Sequence, residues 1–485
     1  MRMSGSTAAL VALEDAAPDE LFACLRGTTI PLWPMLRWPL AAALAHTEYE
    51  TDFTPHLEGI VSKARRLGQM AAPSTRSART LRGPTPVLFF ATASRNVPSP
   101  TGEVNPLLGP FADVLPGDAA MVQYEPLPRS RRLAFAPTVT FGNEIAAAEV
   151  RARALPFPGT ILREAREVAE AIISHVDHQL DPARRDQALR MFGARVRRAT
   201  ILAAAYARLL DRVRPQLLIL QMAAYGDRST FVTAAHERGI LVAEPQHGWL
   251  GPSHGAYNFG AAASDPRLRI ALPDTLLTFG EFWSESVSVP FETVVVGKAA
   301  IDDARDRTSP LGERPRELLY VSTVVEPEEV ARFVLSLRET VPAGWTIVFR
   351  PHPKERAVVS QRYPSLIAAE RIRIDEEPDP YRSFARSRVV VGATSTALYE
   401  VLALGTPTVL RVSPMTPFYM DPRIFTNRIE PGDDPKAAIT RAIETPDVDL
   451  TPGLVERVWA SGSRDRFRAW ADQALAASSP AGTAP

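Results

Sequence analysis

Three short clusters collect side chains suited to moving protons and holding phosphate, and each follows a run that reads as a buried strand. The first is Glu244-Pro-Gln-His-Gly-Trp. Neutral imidazole accepts a proton near pH 7, which makes His247 a candidate base. Gln246, Gly248, His254 and Tyr257 share its loop and are read as the side an acceptor would approach. Gly248 lets the backbone turn tightly or come close to a ligand. The second cluster is Arg350-Pro-His-Pro-Lys. Its prolines fix the chain on both sides of His352, and Arg350, His352 and Lys354 offer phosphate donors within one turn. The third is Gly392-Ala-Thr-Ser-Thr, opening a helix. The hydroxyls of Thr394, Ser395 and Thr396 and the first helical amides suit a phosphate, and Glu400 lies on the first turns beyond. Asp227, in Tyr225-Gly-Asp-Arg after another strand, is a second candidate base. Each cluster also has a plainer reading: a loop histidine with local hydrogen bonds, a rigid strand exit with solvated charges, and ordinary helix capping by Ser395.

Other chemistries lack their signatures. A lysine-containing phosphate loop, a Gly-x-Gly-x-x-Gly run and a Gly-x-Ser-x-Gly elbow are absent, and no Asp-x-Asp lies near the three clusters. His175 and His178 are three apart on a stretch read as helix, but no third metal ligand accompanies them.

These residues need elements to place them. From residue 214, strand-like and helix-like stretches alternate: a strand Gln216–Leu220, a helix Thr230–Arg238 capped by Gly239, a strand Ile240–Ala243, a strand at Thr275, and Val294-Val-Val-Gly. A second series follows a Pro-, Gly- and Asp-rich linker at 299–316. It comprises a strand Leu318–Val321, a helix Glu328–Thr340, strands Thr346–Phe349 and Val389–Val391, a helix Thr396–Leu404 capped by Gly405, and a strand Thr408–Arg411. Alternation of this kind implies two doubly wound parallel sheets with a cleft between them and ligands at the carboxyl ends of the strands. The second and third clusters are expected on neighbouring strands. Residues 1–80 read as a helical extension, 81–300 as a first α/β domain with a helical insertion at 159–213, 301–472 as a second α/β domain, and 473–485 as a disordered tail.

Composition bounds the rest. The 485 residues are enough for two domains. With 55 basic and 55 acidic residues, nothing argues for nucleic acid as a partner. The one cysteine, Cys24, excludes a disulfide framework. The first twenty residues do not form a secretory signal, and no apolar run approaches the about 20 residues a membrane span needs. A cytoplasmic location is therefore expected. Lysine is scarce (Lys63, Lys298, Lys354 and Lys436), which marks Lys354. Trp33 and Trp38 either form a surface patch for the inner face of a membrane or a lipid-linked acceptor, or pack against the first domain.

The order Gln246-His-Gly, then Arg350-Pro-His-Pro, then a Ser/Thr pair opening a helix with Gly405-Thr-Pro after it, resembles the GT-B type bacterial surface-polysaccharide transferases. The likeness spans roughly residues 214–425. It points both to the sialyl- and Kdo-transferases, which use CMP-sugars, and to the teichoic-acid glycerol- and ribitol-phosphate transferases, which use CDP-alcohols. By resemblance, His352 contacts the donor phosphate, Ser395 and Thr396 bind the same group, and His247 is the base. Two departures stand out. The acidic-acidic-Gly motif that supplies the base in many sialyltransferases is missing, and Gln246 replaces the Trp usual before His-Gly in the teichoic group. The resemblance implies an α/β, GT-B-like fold and an inverting glycosyltransferase without metal or cofactor. Its partners would be a nucleotide-activated sugar and a polysaccharide or lipid-linked glycan. A nucleotide-sugar 2-epimerase and a non-catalytic nucleotide-sugar-binding protein remain as alternatives.

Overall fold

The computed structural model describes residues 1–48, 77–92, 96–99, 102–125, 134–135, 137–154, 159–323, 327–446 and 452–478. Lys63 lies outside them.

Thirteen of the strands build two parallel sheets. The larger contains β1 (Val87–Ala91), β2 (Ala119–Gln123), β3 (Thr138–Thr140), β4 (Leu217–Leu220), β5 (Leu241–Pro245), β6 (Thr275–Thr278) and β7 (Glu292–Val295), in the order β3-β2-β1-β4-β5-β6-β7. The smaller contains β8 (Glu317–Val321), β9 (Thr346–Arg350), β10 (Ile372–Ile374), β11 (Val389–Gly392), β12 (Thr408–Arg411) and β13 (Arg428–Ile429), in the order β10-β9-β8-β11-β12-β13. Every pairing in both is parallel. Counted within each sheet, both run 3-2-1-4-5-6, the doubly wound Rossmann order, and the larger adds a seventh strand. The fold class is thus the expected one. The central strands read as unbroken apolar runs because helices cover both faces: β1, β4 and β8 are buried along their whole length.

The chain divides into two compact units. The larger comprises Met3–Thr278, Ser284–Val296 and the segment from Arg464 onward; the smaller comprises Met1–Arg2, Phe279–Trp283 and Gly297–Ser463. The N-terminal helices therefore belong to the larger unit. The last helix, Ser463–Ser478, carries residues 473–478, which were expected in a disordered tail; residues 479–485 lie outside the described part. Within the larger unit, Phe467 of that helix stacks on Phe111 with ring centres 4.4 Å apart.

Four helices shape the larger unit: α1 (Gly5–Ala16), α2 (Trp33–Glu48), α3 (Gly159–Ser174) and α4 (Pro182–Val213). At 32 residues, α4 is about 48 Å long, and Asp181 caps its start by accepting the Arg184 amide at 3.0 Å. One stretch of α4 packs Tyr206 between Phe141 and Phe231 under the sheet (5.2 and 4.3 Å between ring centres). Another packs Phe192 and Val196 into a helical core with Leu10, Trp33, Leu36 and Leu40. Trp33 is 1% exposed and Trp38 half-buried, so the tryptophans pack into the protein and form no surface patch. Helix α3 ends at Ser174, so His175 and His178 fall in the turn beyond it and share no helical face.

Helix α2 docks through a defect in its own ladder. Pro39 has no N–H to give the Met35 carbonyl. That carbonyl instead accepts Arg195 Nη1 from α4 at 3.4 Å, and the same nitrogen donates to the Tyr225 carbonyl at 2.6 Å. The loop after β4 then presses on α2 at Gly226, whose φ is +79° and where an added Cβ would lie 1.7 Å from the Pro34 carbonyl oxygen. Gly239 has φ +67° but open space around it. Gly239→Ala should therefore cost only the about 1–2 kcal/mol of a left-handed residue. Gly226→Ala adds a backbone clash and should cost about 3 kcal/mol or more. Urea denaturation of the two variants measures the difference.

Candidate functional site

The carboxyl end of β5 delivers Glu244 and, three residues on, His247. Glu244 is completely buried. Its Oε1 accepts the Tyr257 hydroxyl at 2.5 Å and its Oε2 the Ala224 amide at 2.8 Å. Burial pushes its carboxyl up to about 7; the Tyr257 and Ala224 hydrogen bonds and Arg228 pull the other way, and Asp227 adds a smaller push up. His247, half-buried, has Nδ1 3.4 Å from the Tyr257 hydroxyl and Nε2 3.3 Å from the Tyr225 hydroxyl. The Tyr225 hydroxyl also meets His254 Nε2 at 3.1 Å, and the Ala256 amide donates to His254 Nδ1 at 3.2 Å. Burial lowers His254 to about 4, which keeps it neutral at physiological pH. Trp38 lies against Tyr225 (ring centres 4.6 Å) and His254 (6.0 Å), and Trp249 stacks on His254 (5.9 Å).

The N-terminal helices hold this loop. Glu14, wholly buried, makes a two-pronged ion pair with Arg37 (2.7 and 3.2 Å) and accepts Trp33 Nε1 at 2.8 Å. Arg37 in turn donates to the carbonyls of Gly255 and Asn258, on either side of Tyr257. Glu14 also accepts the Gly260 amide at 2.8 Å.

Other expected members of this site have different work. Gln246 is fully buried and its side-chain amide donates to the Gly248 carbonyl at 2.8 Å, so it braces the turn. Gly248 is exposed, with nothing within 4 Å of a notional Cβ and no positive φ, so no strain or crowding requires glycine there. Asp227 is half-buried and makes no hydrogen bond with His247; its charge faces Arg195 and Arg198. Its charge adds a small push to the Glu244 carboxyl.

In the smaller unit, β8 lies between β9 and β11, so the second and third clusters sit on next-nearest strands, about 10 Å apart. Between them, at the point where the strand order reverses, stands Ser322. Its hydroxyl donates to Glu355 at 2.9 Å. Glu355, 1% exposed, also accepts the His352 amide at 3.0 Å and the Tyr363 hydroxyl at 2.6 Å, and pairs with Arg362 at 3.0 Å. One buried carboxylate thus ties together the exits of β8 and β9. The Lys354 amide donates to His352 Nδ1 at 3.2 Å, which places the imidazole proton on Nε2. Desolvation lowers the His352 pKa, so a neutral N–H donor stands at the edge of the sheet.

Arg350 does not join it. The expected phosphate donor is 6% exposed and spends its guanidinium on Asp375 (2.5 Å), Ser383 (3.0 Å) and the Glu377 carbonyl (3.0 Å). The side chain of Lys354 is exposed. Thr394 and Ser395 are half-exposed and Thr396 exposed. The helix they open spans only Ala397–Leu402, where Ser395 Oγ accepts the Ala397 amide at 3.3 Å. Glu400 pairs with Lys298 at 2.6 Å. Burial works against the Lys298 charge, but Glu400 raises its pKa above the ordinary value. Lysine scarcity thus pointed as much to Lys298 as to Lys354. Glu244, Glu355 and Ser322 escaped the sequence reading; the signal that could have found them is an acidic or hydroxyl residue within or just after an otherwise apolar strand.

Among the described residues no three His, Cys, Asp or Glu side chains are grouped so as to hold a metal ion, and no helix is long and apolar enough to cross a membrane.

No protein-family model matches the chain, and no curated protein does. Solved structures similar to it include a UDP-GlcNAc 2-epimerase from Methanocaldococcus jannaschii (12% identity, 80% of this chain and 99% of that one, TM-score 0.46). Another is a UDP-GlcNAc 2-epimerase from Neisseria meningitidis bound to UDP-GlcNAc (11%, 80% and 99%, 0.44). A third is a UDP-forming trehalose-phosphate synthase from Burkholderia xenovorans (11%, 82% and 99%, 0.42). At such identities and scores the likeness assigns no activity to this chain.

The shifted groups Glu244 and His254 have a signature in stability. Glu244 binds its proton more tightly folded than unfolded, so between its ordinary 4.5 and about 7 it makes stability fall as pH rises. His254 does the reverse between about 4 and 6.5. In the wild type the two slopes oppose each other. In Glu244→Gln the Glu244 slope is lost and that of His254 remains, so stability should rise with pH more steeply than in the wild type between pH 4.5 and 6.5, by up to about 1.4 kcal/mol per pH unit. Denaturant titrations across that range measure it.

Proposed function

We propose that the chain is a glycosyltransferase that moves a sugar, with inversion, from a nucleotide-activated donor onto a hydroxyl of a glycan. The observation that carries this reading is the setting of His247, a half-buried histidine at a strand's carboxyl end, hydrogen-bonded to Tyr225 and Tyr257 and backed by a buried carboxylate. Such an imidazole can take a proton from an attacking hydroxyl. Its counterpart in the smaller unit is His352, whose Nε2–H suits a phosphate oxygen of the leaving nucleotide, with the hydroxyls of Ser395 and Thr396 as further donors. In the reaction, the acceptor oxygen forms a bond to the anomeric carbon and gives up its proton. The bond from that carbon to the phosphate oxygen breaks, and its electron pair leaves with the nucleotide.

The donor we favour is a CMP-sugar of the sialic acid or Kdo type, and the acceptor a surface polysaccharide or glycolipid. Support comes from the resemblance of the His247, His352 and Ser395-Thr396 motifs to transferases of that kind.

A thermal-shift screen against CMP, CDP, UDP and GDP and their activated sugars or alcohols tests the donor. A ligand at about 100 times its dissociation constant adds about 2.7 kcal/mol to stability. The expected result is a shift with CMP and a CMP-sugar that is lost in His352→Ala. A shift with CDP-glycerol or CDP-ribitol alone would replace the donor with a CDP-alcohol. Epimerisation of a UDP-sugar without acceptor, or binding with no turnover over a broad acceptor panel, would overturn the transferase reading. Once a donor is known, His247→Ala should keep the ligand shift yet lose turnover by about 10²–10⁴-fold.

A further inference from the structure

The hydrogen bonds around His247 have one consistent direction. The Ala256 amide can only donate, so His254 Nδ1 accepts and Nε2 carries the proton. That Nε2–H donates to the Tyr225 oxygen, whose own hydrogen is left for His247 Nε2. His247 therefore carries its proton on Nδ1, facing the Tyr257 oxygen, while the Tyr257 hydroxyl donates to Glu244. From the Ala256 amide to the Glu244 carboxylate, each group gives one proton to the next.

We propose that Glu244 is the final proton acceptor of the transfer reaction, reached from His247 through the Tyr257 hydroxyl, so that the base is a His–Tyr–Glu relay. This rests on the transferase reading, with the acceptor hydroxyl taking the place of the Tyr225 hydroxyl at His247 Nε2. As the acceptor oxygen bonds to the anomeric carbon, its proton passes to Nε2, the Nδ1 proton passes to the Tyr257 oxygen, and the Tyr257 proton passes to Glu244 Oε1. His247 ends neutral with its proton on Nε2, Tyr257 ends neutral, and Glu244 ends as a carboxylic acid. The departing nucleotide carries the electron pair of the broken bond.

The surroundings suit this task. Glu244 meets the Tyr257 hydroxyl from the loop after its own strand, the Ala224 amide from the loop after β4, and the charges of Arg228 and Asp227, one favouring and one opposing its ionised form. A carboxyl held near 7 and sealed from water accepts a proton at neutral pH with little driving force lost. Tyr225 and His254 are positioning residues: they fix the His247 tautomer, and Trp38 and Trp249 fix them.

The test has two independent readouts on the full chain. Nitrogen-15 NMR of the imidazoles, with His247→Gln to assign the signal, should show the Nδ1–H tautomer of His247 in the wild type and a shift towards Nε2–H in Tyr225→Phe, which removes the donor facing Nε2. Finding Nε2–H in the wild type, or no change on substitution, overturns the relay whatever the protein catalyses. With the donor and acceptor in hand, the wild-type kcat/KM should rise with pH through about 7. Glu244→Gln should move that limb and lower the plateau on the order of 10²-fold. An unmoved limb overturns the proposal. Tyr257→Phe, which cuts the relay but keeps the carboxylate, should reproduce both effects and serves as the reading variant if Glu244→Gln does not fold. A wild type with the expected tautomer that transfers no sugar leaves the relay standing and removes the transferase reading instead.

Discussion

A carboxylate sealed from water must be given hydrogen bonds or lose its charge, and Glu244 dictates much of the larger unit by that rule. It sits in a parallel sheet strand between apolar neighbours, so its partners have to come from elsewhere. One is the amide of Ala224, which fixes the course of the loop after β4 and with it Tyr225. The other is the hydroxyl of Tyr257, on a loop that would be free to wander were its flanking carbonyls not gripped by Arg37. Arg37 is itself buried and in turn needs Glu14. Removing one member of a buried pair leaves an uncompensated charge, whose cost is about 3–5 kcal/mol. The polar chain from Glu14 to Glu244 is therefore satisfied as a whole or not at all.

The smaller unit solves its own problem in the same way for a different end. Glu355 also takes a tyrosine hydroxyl on one oxygen and a backbone amide on the other. Its amide belongs to His352, so the carboxylate orients a turn; the amide on Glu244 belongs to a neighbouring strand's loop, which leaves the tyrosine to face an imidazole. Two sheets with the same strand order thus carry a buried Glu–Tyr pair beside a strand-end histidine, with no repeat visible in the sequence.

What could be read from the sequence divides along physical lines. Strands of buried apolar residues, such as Leu217–Leu220 and Val389–Gly392, declared themselves because burial on both faces leaves no alternation to misread. Glycines at positive φ, Gly239 and Gly405, marked true helix ends. The short edge strands Thr138–Thr140 and Arg428–Ile429 carried too little pattern. At the site, histidines stood out by type, whereas Glu244 and Glu355 did not, because burial is set by residues far away in the chain. Arg350 misled for the converse reason: a guanidinium at a strand's carboxyl end suits a phosphate or an internal acid equally, and only the fold supplies Asp375. Trp33 and Trp38 were ambiguous until α4 was seen to cover them.

The reach of the N-terminal helices also sets an order of events during synthesis. Thr7 donates to the Ser253 carbonyl and Glu14 accepts from Gly260, each across 246 residues. At roughly 5–20 residues per second, the ribosome needs roughly ten to fifty seconds to deliver those partners after the helices have emerged. For that interval α1 and α2 have Leu10, Leu13, Trp33, Leu36 and Leu40 without the loop that will cap them and with a charge pair lacking its outer hydrogen bonds. Exposed apolar surface on a growing chain is prone to aggregation, so these two helices depend for their burial on a segment that is made much later.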